Sequence, residues 1–236
     1  MIDIKKIYRL SFSKAAKTYE EEACIQRETA KIIASKLELY SGLGLDCGSG
    51  TCFVSELLPG KRLVNLDISK SMTKVCKSKG YKVVVGDVEC LPFKEEVFDY
   101  VASNFTLHWT DLEVSLWEIK RVMKRGSTFI FSIPVEGSLK AIHTILGNSF
   151  FQFYPESVVE SIVSRHFKLS NSYNKDFEMI MDDGLLFLRH LHLTGSMVNP
   201  RELSMKEKLS IVKKFATHTD KTLLNFNVAF FECVKV

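Results

Sequence analysis

The chain has 236 residues, 46% of them hydrophobic and 25% charged, with a formal net charge of +4. That length suits one large α/β domain with a substantial core, and the composition is that of an ordinary soluble globular protein. The charge is too small to argue for nucleic acid, and no apolar run is long enough to span a bilayer. The start of the chain lacks the apolar core of a secretory signal, so a cytoplasmic location is the expectation. Six irregularly spread cysteines (Cys24, Cys47, Cys52, Cys76, Cys90, Cys233) show no zinc spacing and are expected to be reduced, mostly buried thiols with no metal bound.

Residues 1–18 are basic and weakly periodic. Tyr19 to Leu39 carries apolar residues at Ala23, Ile25, Ala30, Ile33, Ala34 and Leu37, the spacing of an amphipathic helix, which Ser41-Gly42 ends. This predicts a cover helix outside the sheet. Next comes Gly42-Leu43-Gly44-Leu45-Asp46-Cys47-Gly48-Ser49-Gly50-Thr51, a short buried strand that ends at an acid and runs into a glycine-bracketed turn opening a helix. Glycines at 48 and 50 permit positive φ and leave bare backbone against a ligand. The dinucleotide fingerprint is excluded because its third glycine is replaced by Phe53, and Asp46 would repel a diphosphate.

The β-α unit then repeats. Arg62 to Asp67 is a second strand ending in an acid, followed by Ser69 as helix N-cap; Tyr81 to Asp87 is a third; Val97 to Asn104 is a fourth. A helix over Asp111 to Lys124 and a β-branched run from Ser127 to Ile133 complete a five-strand parallel set. The fold class is α/β, a doubly wound Rossmann-like sheet with an N-terminal cover helix. Beyond Pro134 the pattern loosens: helices over 137–146, 156–163, 182–193 and 204–217, a strand over 167–173 and a terminal strand over 223–236. The expected organisation is one domain, with 1–40 as cover, 41–136 as ligand-binding core, 137–200 as an inserted substrate cap and 201–236 completing the sheet.

In an open parallel sheet, ligands bind at the carboxyl ends of the strands, where Asp46, Asp67, Asp87 and the loop from Ser103 to His108 converge. The D-x-G-x-G order resembles motif I of the class I S-adenosylmethionine methyltransferases, and LDCGSGT, VNLDIS, GDVECLPF and FDYVASNFTLHW together resemble motifs I to IV. The resemblance implies an S-adenosylmethionine site built from Asp46, Gly48, Ser49, Gly50 and Asn104. Asp67 would accept from the ribose hydroxyls, Asp87 and the Val88 N–H would take the adenine edge, and Ile68 and Met72 would flank the ring. N-capping or turn formation also accounts for Asp67 and Asp87 taken singly.

A narrower resemblance rests on FSKAAKTYEEEACIQRETA, on the run from SNFTLHW to VEGSLKAIH and on LRHLHLTGSMVN. These are similar to the malonyl-[acyl-carrier protein] O-methyltransferase (BioC) family of biotin synthesis. The resemblance implies methyl transfer to the free carboxylate of a malonyl thioester, on an acidic acyl carrier protein or on coenzyme A, with S-adenosylhomocysteine as product. The carboxylate is already the nucleophile, so no catalytic base is expected. Tyr19 would close over cofactor and substrate, and His108 is the remaining candidate in the site, with plain packing the other reading of each; Arg189 would hold the malonyl carboxylate or form a structural salt bridge, and Trp109 is expected to pack the sheet edge. Another small carboxylate or a carbon nucleophile as acceptor, or an inactive binding subunit, are the alternatives. Clusters of basic residues near both ends offer a docking surface for the acidic partner or a solvated face, and with no heptad or long apolar stripe a monomer is the default.

Overall fold

The computed structural model describes residues 4–146, 153–197 and 203–236. The amino-terminal part is helical: α1 (Ile4–Ala15), α2 (Tyr19–Glu22) and α3 (Cys24–Leu37). Then β1 (Leu43–Cys47), α4 (Phe53–Glu56), β2 (Arg62–Asp67), α5 (Lys70–Ser78), β3 (Lys82–Val85), β4 (Phe98–Asn104), α6 (Leu112–Val122) and β5 (Met123–Pro134) follow in alternation. The remainder is α7 (Lys140–Leu146), α8 (Glu156–His166), β6 (Lys168–Met181), α9 (Gly184–Leu193), α10 (Met205–Ala216) and β7 (Thr222–Val234). The sheet order is β3-β2-β1-β4-β5-β7-β6. The first five strands pair in parallel, as the repeated apolar-run-then-acid pattern requires, and β7 runs antiparallel to both β5 and β6.

Both faces of the sheet are covered, so its central strands are apolar at nearly every position. In β4 and β5 the period of two divides them: Val101, Phe129, Phe131 and Ile133 join the core beneath α6 and α8, while Tyr100, Ala102 and Ile130 join the one beneath α3 and α4. A third apolar cluster lies among α7, α9, α10 and the β6–β7 ribbon, with Phe187, Phe215 and Phe230 in it. Two helix starts expected from sequence chemistry are present: the Ser69 side chain accepts from the Met72 N–H, and Asp111 does the same for Val114.

Four expectations are corrected. Residues 4–15, read as weakly periodic, form a full helix that packs on α5, and the single helix expected from Tyr19 is broken at Ala23, whose φ of −82° and ψ of 50° leave the helical region. The stretch 137–200 is not one inserted cap, because it contributes β6, the edge strand of the sheet, and α8, which packs against α6; of its helices only α7 lines the site, among the described residues. The cysteines are not all thiols: Cys52 and Cys76 form a disulfide between the turn after β1 and α5. Of the other four, Cys47 and Cys233 are buried and Cys24 and Cys90 exposed.

One position shows how tightly β1 is seated. A Cβ on Gly44 would lie 2.2 Å from the Tyr100 ring, itself fully buried. Gly44→Ala is therefore expected to cost about 1–3 kcal/mol through overpacking, lowering the thermal midpoint by roughly 4–8 °C. An unchanged midpoint in a melt followed by circular dichroism would contradict this packing.

Candidate functional site

The turn after β1 is held from β2. The N–H groups of Gly48 and Ser49 both donate to the Leu66 carbonyl, at 2.7 and 2.9 Å. One residue on, the Asp67 carboxylate accepts from Gly50 N–H at 2.9 Å through Oδ2 and from Ser69 N–H at 2.7 Å through Oδ1. Gly48 has a φ of +72°, and a Cβ there would sit 2.1 Å from the Thr106 side chain, so neither its backbone nor its surroundings admit a larger residue. The Thr106 hydroxyl in turn donates to the Gly48 carbonyl. Cys52, with a φ of 75°, adopts the same left-handed region without being glycine, and its disulfide to Cys76 ties the turn to α5.

A cleft enclosing about 750 Å³ of empty space, part of it open to solvent, lies over the carboxyl ends of these strands. Gly48, Gly50, Asp67 and Asn104 line it at one end, and Ile68, Met72, Asp87 and Val88 at the other. Of the strand-end residues expected to share one site, Asp67, Asp87 and Asn104 line this cleft, whereas Asp46 and Ser49 do not. Asp46 and Ser49 lie in its floor, behind the lining residues. Asp46 is 1% exposed, and among the described residues neither of its carboxylate oxygens has a hydrogen-bond partner; the Ser49 hydroxyl is likewise without one there.

Burial pushes the Asp46 carboxyl up to about 7, with the nearby Asp67 charge adding to it. Burial raises Asp67 to about 6 against the pull of its two N–H donors. A cleft floor with two such carboxylates favours a ligand that presents a cation or hydrogen-bond donors. Asn104 is fixed from both sides, its amide donating to the Gln26 carbonyl at 2.8 Å and its carbonyl accepting from the Ser132 hydroxyl at 2.7 Å.

The outer wall comes from the amino-terminal helices. Tyr19 stacks on Phe53 at 5.8 Å between ring centroids and stands over Gly50, its hydroxyl pKa raised by burial and by the Asp67 charge. Sequence reasoning missed α1, whose Lys5, Tyr8 and Phe12 line the cleft. Lys5 Nζ bridges Asp87 at 2.7 Å and Glu89 at 2.6 Å. Trp109 does not pack the sheet edge as expected; it lines the cleft, 5.0 Å from the Tyr8 ring and 5.5 Å from that of Phe12. The signal for α1 was present in Ile7, Tyr8, Phe12 and Ala15, which return to one side of a helix, but the basic residues between them masked it.

A second chamber, about 580 Å³ of empty space including part open to solvent, shares Phe12, Tyr19, Phe105 and Trp109 with the cleft. Its remaining wall is mostly apolar, from Leu139, Ile142, Phe153, Met197 and Phe226, with Gln26, His143 and Ser196 as polar exceptions. His108 lies here, and burial pushes its imidazole down to about 3, so it is neutral at physiological pH. Among the described residues no lysine or arginine lines this chamber. Arg189, expected to hold a substrate carboxylate, is instead exposed on α9 and lines neither space. His190 on the same helix is buried, and its Nδ1 lies 3.2 Å from Glu22.

Residues 45–131 match the family described as methyltransferase domain. The chain is 34% identical over 143 residues to a malonyl-[acyl-carrier protein] O-methyltransferase of Herminiimonas arsenicoxydans, covering 58% of this chain and 55% of that protein. It is 36% identical over 162 residues to one of Buchnera aphidicola subsp. Baizongia pistaciae, covering 64% of each. The match therefore spans less than two thirds of these relatives. In fold it is similar to a SAM-dependent methyltransferase from Thermotoga maritima, with a TM-score of 0.62, 19% identity and coverage of 97% and 100% of the two chains. A geranyl diphosphate methyltransferase solved with sinefungin gives 0.59 at 11% identity, covering 89% and 78%.

The electrostatics of the floor have a measurable sign. A carboxyl whose pKa is raised by folding stabilises the native state below its unfolded value, and that contribution is lost as pH rises through the folded one. Between about pH 4 and 7 the ligand-free protein is expected to lose thermal stability through Asp46 and Asp67. Asp46→Asn is expected to flatten that decline and to raise the midpoint at pH 8 by a few degrees. Parallel melting curves for the two proteins across this range would contradict the burial of a free carboxyl.

Proposed function

We propose that this chain, which has the class I methyltransferase fold and carries a methyltransferase domain over residues 45–131, is an S-adenosylmethionine-dependent O-methyltransferase. In this reading it esterifies the free carboxylate of a malonyl thioester, carried on acyl carrier protein or on coenzyme A, as an early step of biotin synthesis. The observation that supports the cofactor assignment most strongly is the convergence of Asp67 and Asp87 with a glycine-bracketed turn on one cleft, with Asp46 buried at the end of the strand before that turn. The relatives' names support the choice of acceptor.

The residues present fit that cofactor. Each Asp67 oxygen holds one backbone N–H and keeps a lone pair free, which suits the two ribose hydroxyls. Ile68 and Met72 form apolar walls for the adenine, and Asp87 with the Val88 N–H meets its polar edge. Lys5 is shared between Asp87 and Glu89, so Asp87 need not be fully neutralised. Asp46, with no hydrogen-bond partner among the described residues, answers the cationic end of the ligand; Ser49 and Asn104 hold the turn and the cleft wall beside it.

When bound, S-adenosylmethionine supplies an electrophilic methyl group that an ionised carboxylate accepts without a base, leaving S-adenosylhomocysteine. The protein's contribution is then alignment and exclusion of water. Tyr19, Phe105 and Trp109 border both spaces and form the junction through which the acceptor meets the cofactor. A neutral His108 serves the chamber as a wall and hydrogen-bonding group, not as a cation. Arg189 has no place in this scheme.

One observation favours a second acceptor. A chamber with no lysine or arginine among its described lining residues suits a neutral acceptor or a carbon nucleophile better than a carboxylate. Incubation with S-adenosylmethionine and malonyl carrier protein separates the two. The first reading predicts a mass increase of one methyl group, removed by mild alkali because the product is an ester. No increase on malonyl carrier protein or malonyl-coenzyme A, with cofactor binding intact, would contradict it and leave the second.

A further inference from the structure

α10 has two apolar faces, and the described structure covers one. Phe215 is buried in the cluster beneath α7 and α9, with Ile211 packed against it. Met205, Leu209 and Val212, spaced i, i+4 and i+7, form a separate stripe that is 70%, 54% and 45% exposed. Isolated exposed apolar side chains are ordinary, but a continuous stripe on one helix is a recognition surface. Its borders are cationic. Helical spacing puts Lys206 and Lys213 along one flank and Lys208 along the other. All are exposed, and none makes an ion pair among the described residues. Glu207, the helix's one acid, is engaged in the capping box with Ser204.

We propose that this stripe is the docking site for an amphipathic, acid-rimmed helix of the carrier protein that delivers the acceptor. The inference rests on the proposed reaction for its partner and on charge and position for its place. Two copies of this chain meeting face to face through the stripe would set lysine against lysine, whereas an acidic helix satisfies apolar centre and rim together. α10 packs against α7, and α7 supplies Ile142 and His143 to the second chamber. A carrier seated on α10 is thus one helix away from the space assigned to the acceptor, within reach of a flexible acyl arm.

The test is the triple variant K206E/K208E/K213E, with Leu209→Gln as a second, charge-neutral variant. All four positions are exposed, so folding and cofactor affinity are expected to be unchanged, which circular dichroism and calorimetry check. At low salt, kcat/KM for malonyl carrier protein is expected to fall about tenfold or more in the triple variant, while kcat/KM for malonyl-coenzyme A stays at the wild-type value. Equal effects on the two substrates, or none on either, would overturn the site. If the wild type methylates neither substrate, the reaction fails but the surface is judged separately by titration with malonyl carrier protein. Binding by the wild type that is lost in the triple variant upholds it. No carrier binding by the wild type overturns it, as does binding instead to anionic vesicles or self-association abolished by the same substitutions.

Discussion

The site depends on one carboxylate taking two backbone hydrogen bonds. Asp67 ends β2, and by accepting from Gly50 N–H and Ser69 N–H it fixes the turn after β1 to the start of α5. That bond pattern sets how the Gly48–Gly50 backbone faces the cleft, and it draws the Asp67 carboxylate toward Asp46 beneath it. The cost is electrostatic: burial raises both carboxyl groups, to about 6 and about 7, in a floor where no cation among the described residues pairs with either. Such a floor is poorly stabilised when empty and well matched to a ligand with a positive end and hydroxyl groups.

Around this floor the molecule divides its labour by origin. The parallel half of the sheet supplies the residues assigned to the cofactor, all at strand ends or in the loops that follow. The second chamber takes Phe105, His108 and Trp109 from the loop after β4 and the rest of its wall from elements outside the alternating units, namely the amino-terminal helices, α7, the segments around Phe153 and Met197, and β7. α1 joins the two. Ser11 donates to the Gly195 carbonyl, the hydroxyls of Ser13 and Ser69 lie 2.9 Å apart, and Lys5 reaches Asp87 and Glu89. One helix is therefore tied both to the end of α9 and to the cofactor side.

The parallel sheet and its cleft were legible in the sequence because their signals are local. An apolar run, a terminal acid and a glycine or N-cap residue recur within a few positions of one another, as in Leu63 to Ser69. What escaped was set by distant packing. α1 is stabilised by α5 and by Trp109, neither of which its own basic sequence reveals. β6 was read as a short strand within a cap because its alternation is weak; its partner β7, over fifty residues later at its far end, is what makes it part of the sheet. Arg189 follows the same lesson. An arginine in an apolar helix suggests a buried partner, but α9 turns it outward while Phe187 and Leu191 face the core. The Cys52–Cys76 pair, separated by a strand and half a helix, had no spacing signature.

The account stands or falls on whether the strand-end cleft takes S-adenosylmethionine. Isothermal titration of the protein with that ligand tests this most directly, independently of any acceptor. Saturable one-to-one binding with a micromolar dissociation constant, weakened about tenfold or more by Asp67→Ala, is the predicted result. No heat of binding up to millimolar ligand, or binding untouched by loss of the Asp67 carboxylate, would contradict it.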